Sequence, residues 1–96
     1  MQYVFLNGAH IRSNAELHAA FADALDLPEE YGNNLDALHD VLTDRTDPLG
    51  VVIVNEALLR EHLGRRAGGF FRLLRDLQAD DTVRVAVVSL DAPEAT

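Results

Sequence analysis

The fold of this chain is decided by the stretch Val51-Val52-Ile53-Val54, four consecutive β-branched residues in the middle of a sequence of 96 residues. Apolar residues without alternation are typical of a central parallel strand that is covered on both faces. A turn-rich connection precedes the stretch at residues 45–50, and a short helical pattern follows it at residues 56–63, stopped by Gly64. The sequence therefore predicts a buried strand between two helical connections.

Two further strands are predicted near the ends of the chain. Residues 3–6 (YVFL) are a short apolar run ended by Asn7-Gly8, which predicts a buried strand that leads into a turn. Residues 83–88 (VRVAVV) are rich in β-branched side chains and predict the last strand. Residues 91–96 are small and polar, and we expect them to be frayed.

Helical patterns fill the intervals between the predicted strands. A capping box that begins at Ser13 precedes an apolar stripe with helical spacing, and Asn33 or Asn34 can cap a second helix. Residues 67–69 (AGG) predict a flexible joint before a last helical stripe in residues 70–77. The order β-α-α-β-α-α-β predicts an α/β fold with a three-stranded parallel sheet and about four helices.

Composition limits the classes of partner. The chain has 16 acidic residues against eight basic ones, all Arg, for a formal net charge of −8. This sign argues against binding to nucleic acid or to an anionic membrane, and it favours a basic protein or a basic cleft. There is no Cys, no long apolar run and no charged start of a signal peptide. We expect one domain over residues 1–96, located in the cytoplasm.

The motifs of common enzymes are absent from the sequence. No G-x-G-x-x-G follows a strand, a phosphate-binding loop is impossible without Lys, and no Gly pair brackets a Ser as G-x-S-x-G. We therefore predict no catalytic residue and no cofactor. One alternative stays open, because Asp36, His39 and Asp40 share a helical spacing that offers oxygen and nitrogen ligands to a divalent metal.

The acids are concentrated around the second predicted helix. Residues 23–47 hold eight of the sixteen acids against a single Arg. Asp36 and Asp40 lie at i and i+4, where like charges repel, and Asp40 and Asp44 fall toward the helix C-terminus, where the macrodipole favours cations. These acidic residues destabilise the helix that carries them. Their presence therefore indicates a surface that binds a partner with a cationic pocket.

The segment over residues 27–40 (LPEEYGNNLDALHD) resembles the signature segment of the barstar family, and weaker similarity extends over most of the chain. The resemblance implies an intracellular inhibitor that binds a secreted microbial ribonuclease, barnase-like or otherwise guanyl-specific, in a 1:1 complex. The second helix and the loop before it would block the active site of the enzyme. An acidic adaptor for a different basic protein is the alternative, since fold does not fix function.

The resemblance also implies roles for individual residues. Asp40 matches the acid that occupies the phosphate-binding pocket of the enzyme, and Asp36 matches a second acid of that face. A carboxylate can replace a phosphate there because it accepts paired hydrogen bonds from Arg. The full set of predicted partner-binding residues is Glu30, Tyr31, Gly32, Asn34, Asp36, His39, Asp40, Thr43, Asp44, Arg45, Asp76 and Asp80.

Four positions depart from the family pattern. Glu30 and His39 stand where the family carries aromatic residues, and Asp44-Arg45 replaces a Gly-Trp pair. Aromatic side chains are enriched in protein interfaces, so these changes remove rigid anchors. We expect weaker binding of a barnase-like enzyme or a different guanyl-specific ribonuclease as the target.

Overall fold

A computed structural model, which describes residues 2–80 and 82–90, shows strands and helices in the predicted order. The three strands form one parallel sheet in the order β1-β2-β3, which confirms the predicted α/β class and the central place of residues 51–54. The expected frayed tail lies outside the described residues. The elements are β1 (Gln2–Asn7), α1 (Asn14–Leu25), α2 (Leu35–Thr43), β2 (Leu49–Val54), α3 (Glu56–Leu63), α4 (Arg66–Ala79) and β3 (Val85–Leu90).

The capping box predicted for the first helix is present. The Ser13 hydroxyl accepts a hydrogen bond from the Glu16 backbone N–H at 3.1 Å, and the Glu16 carboxylate accepts one from the Arg12 N–H at 3.0 Å. The first bond satisfies an N–H group that the helix start leaves without a partner, and the second fixes the residue before the cap, so α1 begins at a defined residue. It ends at Asp26, whose left-handed backbone (φ 53°) stops the helix.

The hydrophobic core lies on one face of the sheet. Alternate side chains of the strands, such as Val4, Val51 and Ile53, point into it, and all four helices contribute buried residues to the same cluster. Phe21 of α1 and Phe70 of α4 meet edge to face in this core, with ring centroids 6.0 Å apart. The helices are thereby fixed relative to the sheet by burial of their apolar stripes.

No element of the described residues covers the opposite face of the sheet, so two expectations were wrong. Residues 51–54 are not buried on both faces, because Val52 and Val54 are only half-buried. The strand at residues 3–6 is not fully buried either, since Phe5 is 68% exposed. The physical reason is that all four helices pack on the same side, which leaves the other side of each strand open.

Two predicted boundaries also differ. Residues 67–69 are not a flexible joint but part of the first turns of α4, and the turn before this helix contains Gly64 with φ 60°. Gly69 packs closely there, because an added Cβ would lie 3.0 Å from Leu35 Cδ1. The last strand begins at Val85 rather than at residue 83 and continues to Leu90, where it pairs with β2. No helix among the described residues has the length and apolar character needed to cross a membrane.

Candidate partner-binding face

Helix α2 is held in one orientation by its cap and by its inner side. The Asn34 side chain accepts a hydrogen bond from the Ala37 N–H at 2.8 Å and donates one to the Gly32 carbonyl at 3.2 Å. This confirms Asn34 rather than Asn33 as the N-cap. Leu38 and Leu42 are fully buried beneath the helix. The cap and the buried leucines therefore fix the orientation in which the outer side of α2 faces solvent.

The outer side of α2 carries Asp36, His39 and Asp40. All three are exposed, and the Asp40 side chain retains 80% of its accessible surface. The nearest charged contact is His39 Nδ1, which lies 3.8 Å from Asp40 Oδ1. Within residues 2–80 and 82–90, no group donates a hydrogen bond to the carboxylate of Asp36 or Asp40. Both carboxylates are thus free to accept bonds from a partner.

The end of α4 adds two acids near the same face. Asp76 is exposed, and the exposed Asp80 carboxylate accepts hydrogen bonds from the Thr82 backbone N–H at 2.9 Å and its hydroxyl at 2.6 Å. These bonds lower the pKa of Asp80, and the charge of His39 lowers it further. Since His39 lies on α2, Asp80 at the end of α4 is close enough to this helix to interact with it electrostatically. We call Asp36, Asp40, Asp44, Asp76 and Asp80 the acidic face.

Thr43 and Arg45 are engaged within the chain. The Thr43 hydroxyl donates within its own helix, to the His39 carbonyl at 2.8 Å and the Asp40 carbonyl at 3.2 Å. The half-buried Arg45 donates from Nη2 to Gln2 Oε1 at 2.8 Å. These contacts shape the C-terminal end of α2, and a direct role of either side chain in partner binding stays a prediction.

The loop before α2 has an exposed side and an anchored side. Glu30 and Gly32 are exposed, and an added Cβ on Gly32 would lie 3.0 Å from Asn34 Nδ2. Tyr31 is half-buried and directs its hydroxyl inward, 2.6 Å from His18 Nδ1. Burial raises the pKa of Tyr31 to about 12, so the phenol keeps its proton at neutral pH. This bond ties the loop to α1.

His18 is the site residue that the sequence analysis missed. It is completely buried in α1, and burial lowers its pKa, with the charge of Arg66 adding to the effect. The signal was available in the sequence, because His18 precedes Phe21 by three residues and Leu25 by seven and so lies on the apolar side of the helix. A buried neutral imidazole there needs a polar partner, which Tyr31 supplies.

The metal alternative gains no support from the part of the chain that the structure describes. No three His, Asp or Glu side chains come together there in an arrangement that could hold a metal ion. Asp36 and Asp40 instead lie on the exposed outer side of a single helix.

Comparison with known proteins gives three findings. A family model described as "Barstar (barnase inhibitor)" matches residues 1–90. A protein of Bacillus subtilis (strain 168) named "Putative ribonuclease inhibitor YrdF" is 33% identical over 81 residues, which are 83% of this chain and 89% of that protein. The crystal structure of Cdc6p from Pyrobaculum aerophilum matches with a TM-score of 0.65 at 22% identity, covering 98% of this chain and 25% of that one. This last similarity, in which the chain spans a quarter of the other's length, concerns the fold alone.

Proposed function

The chain belongs to the barstar family, and from that premise we propose that it is a ribonuclease inhibitor that blocks the active site of a secreted microbial ribonuclease with α2. The observation that carries the proposal is the state of Asp40. Its side chain is 80% exposed and has no hydrogen-bond donor among the described residues. The inhibitor would act in the cytoplasm, as a monomer that forms a 1:1 complex and catalyses no reaction.

The chemistry of inhibition would be phosphate mimicry. A ribonuclease binds its substrate through cationic groups that surround a phosphate, and a carboxylate offers the same charge and two acceptor oxygens to Arg. Asp40 would occupy that phosphate position, with Asp36 one turn away on the same side of α2. The buried Leu38 and Leu42 beneath them would keep both carboxylates in place during binding. The free-energy cost of ordering the two carboxylates on association would then be small.

The remaining acids would act at longer range. The chain carries a formal net charge of −8, and the exposed acids Asp44, Asp76 and Asp80 would lie around the proposed centre. Opposite charges on two proteins accelerate their encounter, and salt screens this effect. We therefore expect the association rate with a basic ribonuclease to fall steeply as ionic strength rises.

The departures from the family pattern bear on the choice of target. Glu30 and His39 give the rim of the proposed interface polar and charged groups, and the aromatic Tyr31 directs its hydroxyl to His18 rather than to solvent. The face therefore relies on charge and hydrogen bonds more than on aromatic contact area. A guanyl-specific ribonuclease with a strongly basic, polar rim would fit it best.

The proposal is tested by measuring calorimetrically how Asp40→Ala binds a small basic guanyl-specific ribonuclease. Hydrogen bonds to a charged group contribute about 1.5–3 kcal/mol each, so losing the paired bonds of Asp40 is expected to weaken binding about a hundredfold or more. Asp23→Ala is the matched control, because Asp23 is an exposed acid in the last turn of α1 and is not among the predicted contact residues. Equal affinities of Asp40→Ala and the unchanged protein would sink the assigned role.

The second candidate is an acidic adaptor for another basic protein, and the absence of aromatic side chains at positions 30 and 39 favours it. A capture experiment with the immobilised protein separates the two functions. Culture fluid and lysate of the source cell should yield a secreted ribonuclease as the main captured protein under the first function. A different basic protein, lost with Asp40→Ala, would establish the adaptor.

A further inference from the structure

Strand β3 forms an open edge of the sheet, because among the described residues it pairs with β2 alone. The carbonyls of Arg84 and Leu90 accept hydrogen bonds from the N–H groups of Leu49 and Asn55, at 2.8 and 3.3 Å, so the even-numbered residues direct their backbone groups toward β2. Successive residues of a strand direct these groups to opposite sides, so the odd-numbered ones direct theirs outward, where the described residues offer no partner. The outward residues are Val85, Val87 and Ser89.

The sequence of β3 does not protect this edge. Its six residues, VAVVSL, include no charged residue and no Pro. Natural proteins prevent unwanted pairing at a sheet edge with charges, Pro, bulges or a covering element. An uncharged, β-branched edge with unpaired backbone groups is therefore a place where a further strand can pair.

A groove of about 400 Å³ adjoins the edge, with Val87 of β3 in its lining and α3 and α4 as its walls. Its floor is apolar and includes the buried Ile53 and Leu74. Three of the eight arginines of the chain line the groove, but only one of the sixteen acids does, Glu56. In a chain with a formal net charge of −8, the groove is thus a local region of positive charge.

Two of the three arginines are available to an anionic partner. Arg60 is engaged, because its Nε donates to Glu56 Oε2 at 2.9 Å and its guanidinium lies 3.9 Å from the centroid of the Phe71 ring. Arg72 and Arg75 are exposed, and neither makes an ion pair or a side-chain hydrogen bond within residues 2–80 and 82–90. A guanidinium binds a carboxylate through paired hydrogen bonds, so the groove is complementary to acidic side chains.

The other side of the same edge is apolar. On the sheet face that no described element covers, Val88 is 48% exposed and Leu90 is 54% exposed. The side chains of a strand alternate between the two faces of its sheet. A strand added to β3 would therefore direct one set of side chains toward Arg72 and Arg75 and the other set along the apolar face beside Val88.

We propose that the edge of β3 binds an extended segment of a partner protein in which acidic and apolar residues alternate, and that this segment adds a fourth strand to the sheet. In such strand addition, main-chain hydrogen bonds provide affinity and the contacts of alternate side chains provide specificity. The acidic side chains pair with Arg72 and Arg75, and the apolar ones pack beside Val88 and Leu90.

This site is separate from the acidic face. Gly69 of α4 packs against Leu35 of α2, whereas Phe71 and Gln78 of α4 line the groove. At about 100° per residue, Phe71 and Gln78 lie nearly opposite Gly69 on the helix. The groove and α2 thus lie on different flanks of α4, and a partner bound to α2 leaves the groove open.

The test uses the free protein and a synthetic peptide of about eight residues in which Glu alternates with Val, so its outcome does not depend on ribonuclease binding. The ¹⁵N-labelled protein is titrated with the peptide at constant ionic strength. We expect saturable shifts in the amides of β3 and in the Nε–H groups of Arg72 and Arg75, and slower deuterium exchange of the three outward amides of β3. The same peptide methylated at every backbone nitrogen keeps its charge but has no N–H donor, so it should bind at least about tenfold more weakly.

The arginines provide a matched pair of double variants. Arg72→Gln with Arg75→Gln should weaken binding of the peptide about tenfold, because two exposed ion pairs are lost. Arg12→Gln with Arg65→Gln makes the same change of net charge at exposed arginines that do not line the groove, and it should bind as the unchanged protein does. The amide spectra of the free variants verify that both are folded. Absence of saturable shifts in β3, equal losses in the two double variants, or equal binding of the methylated peptide would overturn the proposal.

Discussion

Replacement of Asp40 by Ala should make the free protein more stable while it removes the proposed binding centre. Asp40 lies in the last turn of α2, where a negative charge opposes the macrodipole by about 0.3–1 kcal/mol. Asp36 and Asp44 lie four residues to either side, and each like-charge pair destabilises a helix by about 0.2–0.5 kcal/mol. Ala is also a better helix former than Asp, by up to about 0.7 kcal/mol.

One contact opposes this gain. The variant loses the pairing of Asp40 with His39, but the atoms are 3.8 Å apart and both side chains are more than half exposed, so the loss is about 0–1 kcal/mol. Because Asp40 is highly exposed, solvent screening also reduces the gain expected from removing its unfavourable interactions with the helix dipole and the neighbouring acids. The expected net effect is a free energy of unfolding that rises by about 1 kcal/mol, which corresponds to a midpoint about 4–8 °C higher for a domain of this size.

The assay is thermal and urea unfolding at pH 7, followed by far-UV circular dichroism at low and at high salt. The gain should shrink near 1 M salt, because the screening length falls to about 3 Å. Asp23→Ala, in the last turn of α1, should give a similar salt-sensitive gain. A loss of stability in Asp40→Ala would refute the reasoning, because Asp40 would then support the fold and its placement would not indicate a partner.

Three further predictions concern the rest of the molecule. Tyr31→Phe leaves the buried His18 ring without its 2.6 Å partner and should lower the free energy of unfolding by about 1–3 kcal/mol in urea titrations. The pKa of His18 is lowered in the folded state, so the unfolded chain binds a proton more readily than the folded protein. The free energy of unfolding should therefore be highest above about pH 6.5 and should decrease below it, by up to about 1.4 kcal/mol per pH unit. His18→Gln should flatten this slope below about pH 6.5, and a slope unchanged in His18→Gln would exclude this cause. Gly68→Ala, in α4, adds a Cβ that meets nothing within 4 Å and should raise the thermal midpoint through a gain of about 1 kcal/mol, whereas Gly8→Ala would clash with backbone atoms at the start of α3 and should unfold more easily.

Local patterns were sufficient for much of the fold. The β-branched run at residues 51–54 identified the central strand, and the Ser13 capping box marked the start of α1. The faces of α2 were also predictable, because Leu38 and Leu42 are buried and Asp36 and Asp40 are exposed. In these cases the spacing of apolar residues and the capping residues lie within one short segment. The local sequence therefore contains the information that determines the element.

The errors arose where long-range packing decides the structure. Phe5 and Val88 are apolar whichever face of the sheet is covered, so their residue types could not show that the helices occupy one side only. Gly69 lies inside a helix where α4 packs closely against Leu35, a long-range contact that its low helix propensity could not indicate.

The support of the candidate site was also hidden from local patterns. His18 lies on the apolar side of α1, but its partner Tyr31 is 13 residues away, so no local pattern showed their contact.

The most direct test of inhibition is a titration of the purified protein into a small microbial guanyl-specific ribonuclease, followed by RNA cleavage. The account predicts that cleavage stops at one equivalent of the protein and is restored when Asp40→Ala replaces it. Full cleavage in the presence of several equivalents, across a panel of basic guanyl-specific ribonucleases, would contradict the proposed function.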